Sequence, residues 1–197
     1  MRRALFAVLL AGPAWAQEGP SYDCSKAESS AEELVCADAE LAALDRRVAD
    51  RYAASLEVIR GLDTGAAEAE GDLRATQRGW IGGRDECWKA EDLRDCVLWS
   101  YQRREAELVT RWMLEEPVNT AEYMCEDNSS FFVMVYETEL PSIRIERGDT
   151  ISTATLSPTG SGARYDGDFG EFLWMQGDEA TYRSADPEGA ETTCTVM

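Results

Sequence analysis

Six cysteines, Cys24, Cys36, Cys87, Cys96, Cys125 and Cys194, carry the most reactive side chains in this sequence, and histidine is absent. An even cysteine count with no C-x-x-C spacing and no imidazole points to three disulfides in an oxidising compartment rather than to a zinc or iron–sulfur centre. Paired thiols supply no thiolate nucleophile. Without histidine neither a Ser–His–Asp triad nor a Cys–His pair can be assembled. The 38 Asp and Glu residues are dense enough for two to fall together by chance, so no glycosidase-type acid pair stands out. Asp166-Gly167-Asp168 opens like a calcium loop but lacks the other ligand positions and the terminal Glu, which leaves a turn. The expectation is a protein that is not an enzyme and carries no metal or cofactor.

Two short stretches remain as candidates for recognition. One is Ser161-Gly162-Ala163-Arg164-Tyr165, preceded by Gly160; the other is Leu173-Trp174-Met175-Gln176-Gly177-Asp178-Glu179-Ala180. Read on physics alone, each is a turn beside a strand. Candidate strands surround them: 121–126, 130–137, 142–146, 150–156, 163–165, 171–175, 180–184 and 192–196. Asp127-Asn128, Pro141, Gly148-Asp149, Pro158 to Gly162, Gly167, Gly177-Asp178 and Asp186 to Gly189 punctuate them. Eight short strands in under eighty residues suggest a small antiparallel eight-stranded β-barrel, and Cys125 in the first with Cys194 in the last would close it.

The first half has a helical period instead. Ser30-Ala31-Glu32-Glu33 reads as a capping box for a short turn to Cys36. Asp38 caps a longer helix with Leu41, Leu44, Val48, Tyr52, Leu56 and Ile59 on one face, ended by Gly61. A second helix is expected over 66–87, burying Leu73, Trp80 and Ile81, although Gly82 and Gly83 weaken its last turn. A third is expected over 91–114, with Leu93, Val97, Tyr101, Leu108 and Trp112 inward and Pro117 as its stop. Trp80, Trp99, Tyr101 and Trp112 read as core or interface packing. The change of period near Pro117 divides the chain into an all-α region, 20–115, and a β-barrel region, 121–197.

The N-terminus reads as an export leader, residues 1–16. Arg2 and Arg3 precede the apolar run ALFAVLLAG, and Ala14-Trp15-Ala16 suits signal peptidase. No cysteine follows the run, so the expectation is a periplasmic protein rather than a lipoprotein, and no later segment is long enough to span a membrane. Loss of Arg2 and Arg3 leaves 17 Lys and Arg against 38 Asp and Glu, a formal charge of about −21. Nucleic acid and anionic lipid are poor partners for such a surface, whereas a cationic protein is a good one. Taken by itself, the charge is accounted for by solubility.

The two glycine-bearing stretches, in that order between Cys125 and Cys194, closely resemble the C-type lysozyme inhibitor family with its membrane-bound (MliC) and periplasmic (PliC) branches. The resemblance runs from Tyr123 to Val196. It implies an eight-stranded barrel whose loops enter the active-site cleft of a basic C-type lysozyme. Ser161, Gly162, Ala163, Arg164, Tyr165, Gln176 and Gly177 would then make the inhibitory contact. Ser161 matches the family serine, while Gln176 stands where the family has lysine and Leu173 where it has phenylalanine. Tyr22 to Ala27, Glu33-Leu34-Val35-Cys36, Leu41 to Asp45, Gln77-Arg78-Gly79-Trp80, Arg84-Asp85, Cys87, Cys96 and Tyr101 resemble the LprI-type lysozyme-inhibitor domain, over Tyr22 to Leu108. The alternative reading is a non-inhibitory envelope scaffold or peptidoglycan-associated protein, which Gln176 favours. The fold class expected is a disulfide-stapled helical hairpin plus a third helix, followed by the barrel. Antiparallel packing of the first two long helices would set Cys36 beside Cys87 and Cys24 beside Cys96, with Cys125–Cys194 as the third bridge.

Overall fold

The computed structural model describes residues 18–186 and 188–197. The expected leader, residues 1–16, lies outside them. A 3₁₀ turn at Cys24–Lys26 leads into α1 (Ser30–Ala37), α2 (Ala39–Arg60), α3 (Ala66–Asp85) and α4 (Leu93–Trp112). A closed antiparallel barrel follows: β1 (Asn119–Cys125), β2 (Ser130–Tyr136), β3 (Ser142–Arg147), β4 (Thr150–Ser157), β5 (Ala163–Asp166), β6 (Phe172–Gln176), β7 (Glu179–Arg183) and β8 (Thr192–Val196).

The helix ends follow local chemistry. The capping box sits one residue earlier than expected: Ser29 caps α1, accepting from the Glu32 N–H while Glu32 reaches back to the Ser29 N–H. Asp38 caps α2 through the Glu40 and Leu41 amides, as expected. Asp92 caps α4. That helix stops at Trp112, ahead of Pro117, because Met113 takes a left-handed conformation, φ 49°, which closes the last turn. α3 runs through Gly82 and Gly83 to Asp85. Its inward stripe is Ala66, Ala69, Leu73, Trp80 and Arg84. Ile81 lies about 100° around the helix from Trp80 and is exposed rather than buried.

The first-half core is Leu41, Leu44, Val48, Ile59, Leu73, Val97, Tyr101 and Leu108, with Tyr52, Leu56 and Trp80 packed against it. The barrel is filled by alternate residues of successive strands, among them Phe131, Val133, Ile143, Ile145, Leu173 and Tyr182. Phe131 stacks between Tyr123 and Tyr182, at centroid distances of 5.3 and 4.5 Å.

Two of the expected disulfides are corrected. The bridges are Cys24–Cys36, Cys87–Cys96 and Cys125–Cys194. The neighbourhood was legible, because the start of α1 does lie beside the end of α3, where Ser29 Oγ meets Asp85 at 3.0 Å. Each cysteine nevertheless pairs locally, across 12 and 9 residues. Cys24 sits in the 3₁₀ turn that folds onto α1, and Cys87 in the short connection that leads into α4. The staples therefore fasten the entry turn and the α3–α4 corner, not the helical hairpin. Cys125 and Cys194 are register partners on the two strands that close the barrel, as expected.

α4 connects the two halves by lying along β4 in the opposite direction. Near its C-terminus Thr110 Oγ1 is 2.7 Å from Thr153 Oγ1, and Arg111 donates to the Ile151 carbonyl. Arg144, buried on β3, donates from Nη1 to the Thr110 and Arg111 carbonyls at 3.1 and 2.7 Å. It thus places a cation on the unpaired end of α4. Farther back, Gln102 donates to Glu139 on the β2–β3 connection, and Arg103 pairs with Asp168.

Candidate functional site

Antiparallel order puts the β2–β3, β4–β5 and β6–β7 connections at one end of the barrel, and both glycine-bearing stretches are there. β4 and β5 part after Ser157↔Arg164, while β6 and β7 part after Gln176↔Glu179. Gly177 takes the first place of that two-residue turn with φ 71°, the glycine placement of a type II′ hairpin, and keeps Gln176 at the rim. The wider β4–β5 loop is held against β6. Trp174 Nε1 donates to the Ser161 carbonyl at 2.9 Å. Gly162, φ 67°, lies so close to β6 that a Cβ there would stand 2.1 Å from the Met175 carbonyl oxygen.

These constraints bring Ser161 and Gln176 together from loops 15 residues apart in sequence: Gln176 Nε2 donates to Ser161 Oγ at 3.3 Å. Both side chains are exposed, as are Gly162 and Gly177. Ala163 and Arg164 are half-buried. Arg164 lies over the Phe172 ring at 4.0 Å and pairs with Asp166 at 2.8 Å. Tyr165 is buried in the barrel core, where burial raises its phenol pKa. It anchors β5 from inside and does not face outward with Ser161.

The chemistry open to this pair is recognition. The partner of the Ser161 hydroxyl is a carboxamide, which cannot take its proton, so no nucleophile is generated. With Oγ accepting from Gln176, the hydroxyl proton and the second Gln176 N–H remain available to an acceptor outside the protein. Among the described residues no group of three or more potential metal ligands occurs, and no helix is long and apolar enough to cross a membrane.

The other motif residues converge on a different point. Tyr101 donates to Asp45 at 2.8 Å and accepts from Arg84 at 2.8 Å, and Arg84 pairs with Asp85 at 2.8 Å. Asp45 also accepts from the Ser21 amide, and Tyr22 donates to the Glu32 carbonyl. Burial opposes charge on Arg84, but Tyr101 and Asp85 outweigh it and raise its pKa. Burial pushes Tyr22 up to about 12 and Tyr101 higher still. The network ties Ser21 and Tyr22 and all four helices together; its residues shape the fold rather than the rim. Of the four aromatic residues expected in core or interface packing, Trp99 is the one that stands at the surface. Tyr101 is buried and Trp80 and Trp112 half-buried, but Trp99 is 50% exposed. Phe169, left-handed at φ 54°, is 86% exposed on the β5–β6 connection at the other end of the barrel.

The chain is a helical segment joined to a closed eight-stranded barrel whose rim presents the Ser161–Gln176 pair. Residues 24–111 match the family model described as lysozyme inhibitor LprI. Residues 123–189 match the one described as membrane-bound lysozyme-inhibitor of c-type lysozyme. These are the two families that the motifs resemble, and both descriptions name inhibitors rather than enzymes. The chain is also similar to proteins named lipoprotein LprI from Mycobacterium bovis and Mycobacterium tuberculosis. Each is 28% identical over 164 residues, covering 81% of this chain and 78% of the relative. No solved structure matches the chain.

Proposed function

We propose that this chain inhibits a basic C-type lysozyme in the bacterial periplasm, by inserting the Ser161 and Gln176 loops into the enzyme's active-site cleft. The observation that carries the reading is the meeting of Ser161 Oγ and Gln176 Nε2, drawn from two loops, at the exposed end of the barrel. A lysozyme cleft holds carboxylates, and this pair offers them an O–H and an N–H donor. The two inhibitor-family matches and a mature charge near −21 support the same partner, since opposite fields accelerate encounter. Residues 1–16 would be the removed leader, leaving 20–115 and 121–197 as two structural units. Gln176 would donate to those carboxylates as a neutral amide, where lysine would add the attraction of an ion pair.

The test is lysis of bacterial cell walls by lysozyme with and without the mature protein, for three forms. The unaltered protein slows lysis. Ser161→Ala weakens inhibition about five- to a hundredfold, the range for a lost hydrogen bond to a charged group. Gln176→Lys strengthens it about tenfold. Absence of inhibition by the unaltered protein leaves the envelope scaffold reading in its place. Inhibition that neither substitution moves puts the contact on another surface.

A further inference from the structure

The Ser161 loop does not stand alone at its end of the barrel. Because α4 runs opposite to β4, its N-terminal half arrives beside the root of the β4–β5 loop. There Trp99, Leu140, Leu156 and Pro158 line a cleft of about 490 Å³. Trp99 and Leu156 are 50% and 39% exposed, and Pro158 lies three residues before Ser161. The indole is held in place. The Arg103 guanidinium lies 5.3 Å from its ring centroid and is itself held by Glu107 at 3.3 Å and Asp168 at 2.5 Å. One turn before Trp99 on the same face is Asp95, with Glu91 and Asp92 just ahead; all three are exposed. A half-exposed indole one helical turn from the Asp95 carboxylate, with Asp92 and Glu91 at the start of the same helix, is a receiver for a cationic side chain: the carboxylates attract the charge, and the ring face binds it.

We infer that the helical half contributes this shoulder to the same interface, so that a basic partner engaging Ser161 also rests an arginine or lysine on Trp99. The inference rests on the function proposed above and names a second contact for it. Aromatic anchors near the centre of an interface carry a large share of its energy. The cleft reaches the β4–β5 loop at Pro158, which brings Trp99 within reach of a partner seated on that loop. The two halves then act as one surface, and the α4–β4 contacts set its geometry.

The experiment measures affinity for a basic C-type lysozyme by titration calorimetry, alongside thermal melting, on the whole mature chain. Trp99→Ala weakens binding about tenfold and Trp99→Phe much less. Neither shifts melting substantially, because half the ring is already in water. Asp95→Lys, on an exposed turn, slows association without touching Trp99. Phe169→Ala, at the other end of the barrel, leaves affinity unchanged. Combined with Ser161→Ala, the Trp99→Ala loss adds. Wild-type affinity in both Trp99→Ala and Asp95→Lys, with Ser161→Ala still weak, overturns the shoulder and leaves the loop site standing. A loss in Trp99→Ala with none in Ser161→Ala overturns the loop site, and with it the shared surface. A loss in Phe169→Ala, whatever Trp99→Ala does, moves the partner to the groove between α3, α4 and β4, which Trp99 also lines, and overturns the inference.

Discussion

Replacing Gly162 by alanine tests whether loop geometry, rather than the mere presence of a serine, makes the site. At φ 67° an L-residue carries a left-handed cost of roughly 1–2 kcal/mol. The added Cβ would also stand 2.1 Å from the Met175 carbonyl oxygen, where 3.0 Å is the least that real contacts show, so the loop must back away by about 0.9 Å. That displacement breaks the Trp174–Ser161 hydrogen bond and separates Ser161 from Gln176. Recognition geometry tolerates only about 0.5 Å. Gly162→Ala should therefore lose most of one hydrogen bond to a charged group, about 1.5–3 kcal/mol, or roughly ten- to a hundredfold in lysozyme affinity. Strain plus one neutral hydrogen bond lowers stability by about 2–3 kcal/mol, a fall of roughly 5–10 °C in Tm, and the barrel still folds. Gly177→Ala is the matched comparison: φ is 71°, but nothing lies within 4 Å of the new Cβ. It carries the strain without the collision and should keep much more affinity. Calorimetric titration and melting of the two variants decide the matter. Wild-type affinity in Gly162→Ala would refute the claim that the loop must stand where it does.

Arg84→Ala removes a buried cation that bridges Asp85 and the Tyr101 hydroxyl, which keep Ser29 and Asp45 as partners, so it should cost about 1.5–3 kcal/mol; a loss below about 1 kcal/mol in denaturant unfolding would mean that the network is peripheral to stability. Peptide mapping without reductant should recover Cys24–Cys36, Cys87–Cys96 and Cys125–Cys194. The chain-entropy model gives about 3 kcal/mol for each of the short loops and about 4 kcal/mol for the 69-residue one, so the Cys125→Ser, Cys194→Ser pair should lower Tm most. Recovery of Cys24 joined to Cys96 would contradict the local pairing. Asp38 is held below its ordinary pKa by its hydrogen bond from Arg94 and by the α2 amides. Its contribution is therefore complete above about pH 4 and is lost as pH falls through the depressed folded-state value. Asp38→Asn should flatten the acid limb of a Tm–pH profile, and an unchanged limb would place that acid sensitivity elsewhere.

Much of this architecture was legible in the residue pattern. Strand periodicity and turn residues placed all eight strands to within a residue or two, because alternation and glycine-rich turns are local signals. The apolar stripe of α2 and the Asp38 cap were readable for the same reason. Cys125–Cys194 followed from topology, since a closed barrel must bring its first and last strands together. The other two pairings did not follow: four cysteines in one neighbourhood allow three connectivities, and only the path of the short turns selects among them.

For the candidate site, glycine marked two turns beside strands, since left-handed turns demand it, and the resemblance to the inhibitor family singled out Ser161 and Gln176 within them. The meeting of the two side chains, and the inward placement of Tyr165 at the same stretch, were decided by barrel register. Whether Trp99 packs in the core or at an interface was open in the sequence for a related reason. It sits on a helix whose period gives it a face, but whether that face meets core, barrel or water depends on how α4 lies along β4. That placement comes from contacts between residues far apart in the chain, Thr110 with Thr153 and Arg144 with the end of α4, and no local pattern encodes them. Sequence determined which elements form and which residues could recognise a partner; tertiary packing decided which of those residues share a surface.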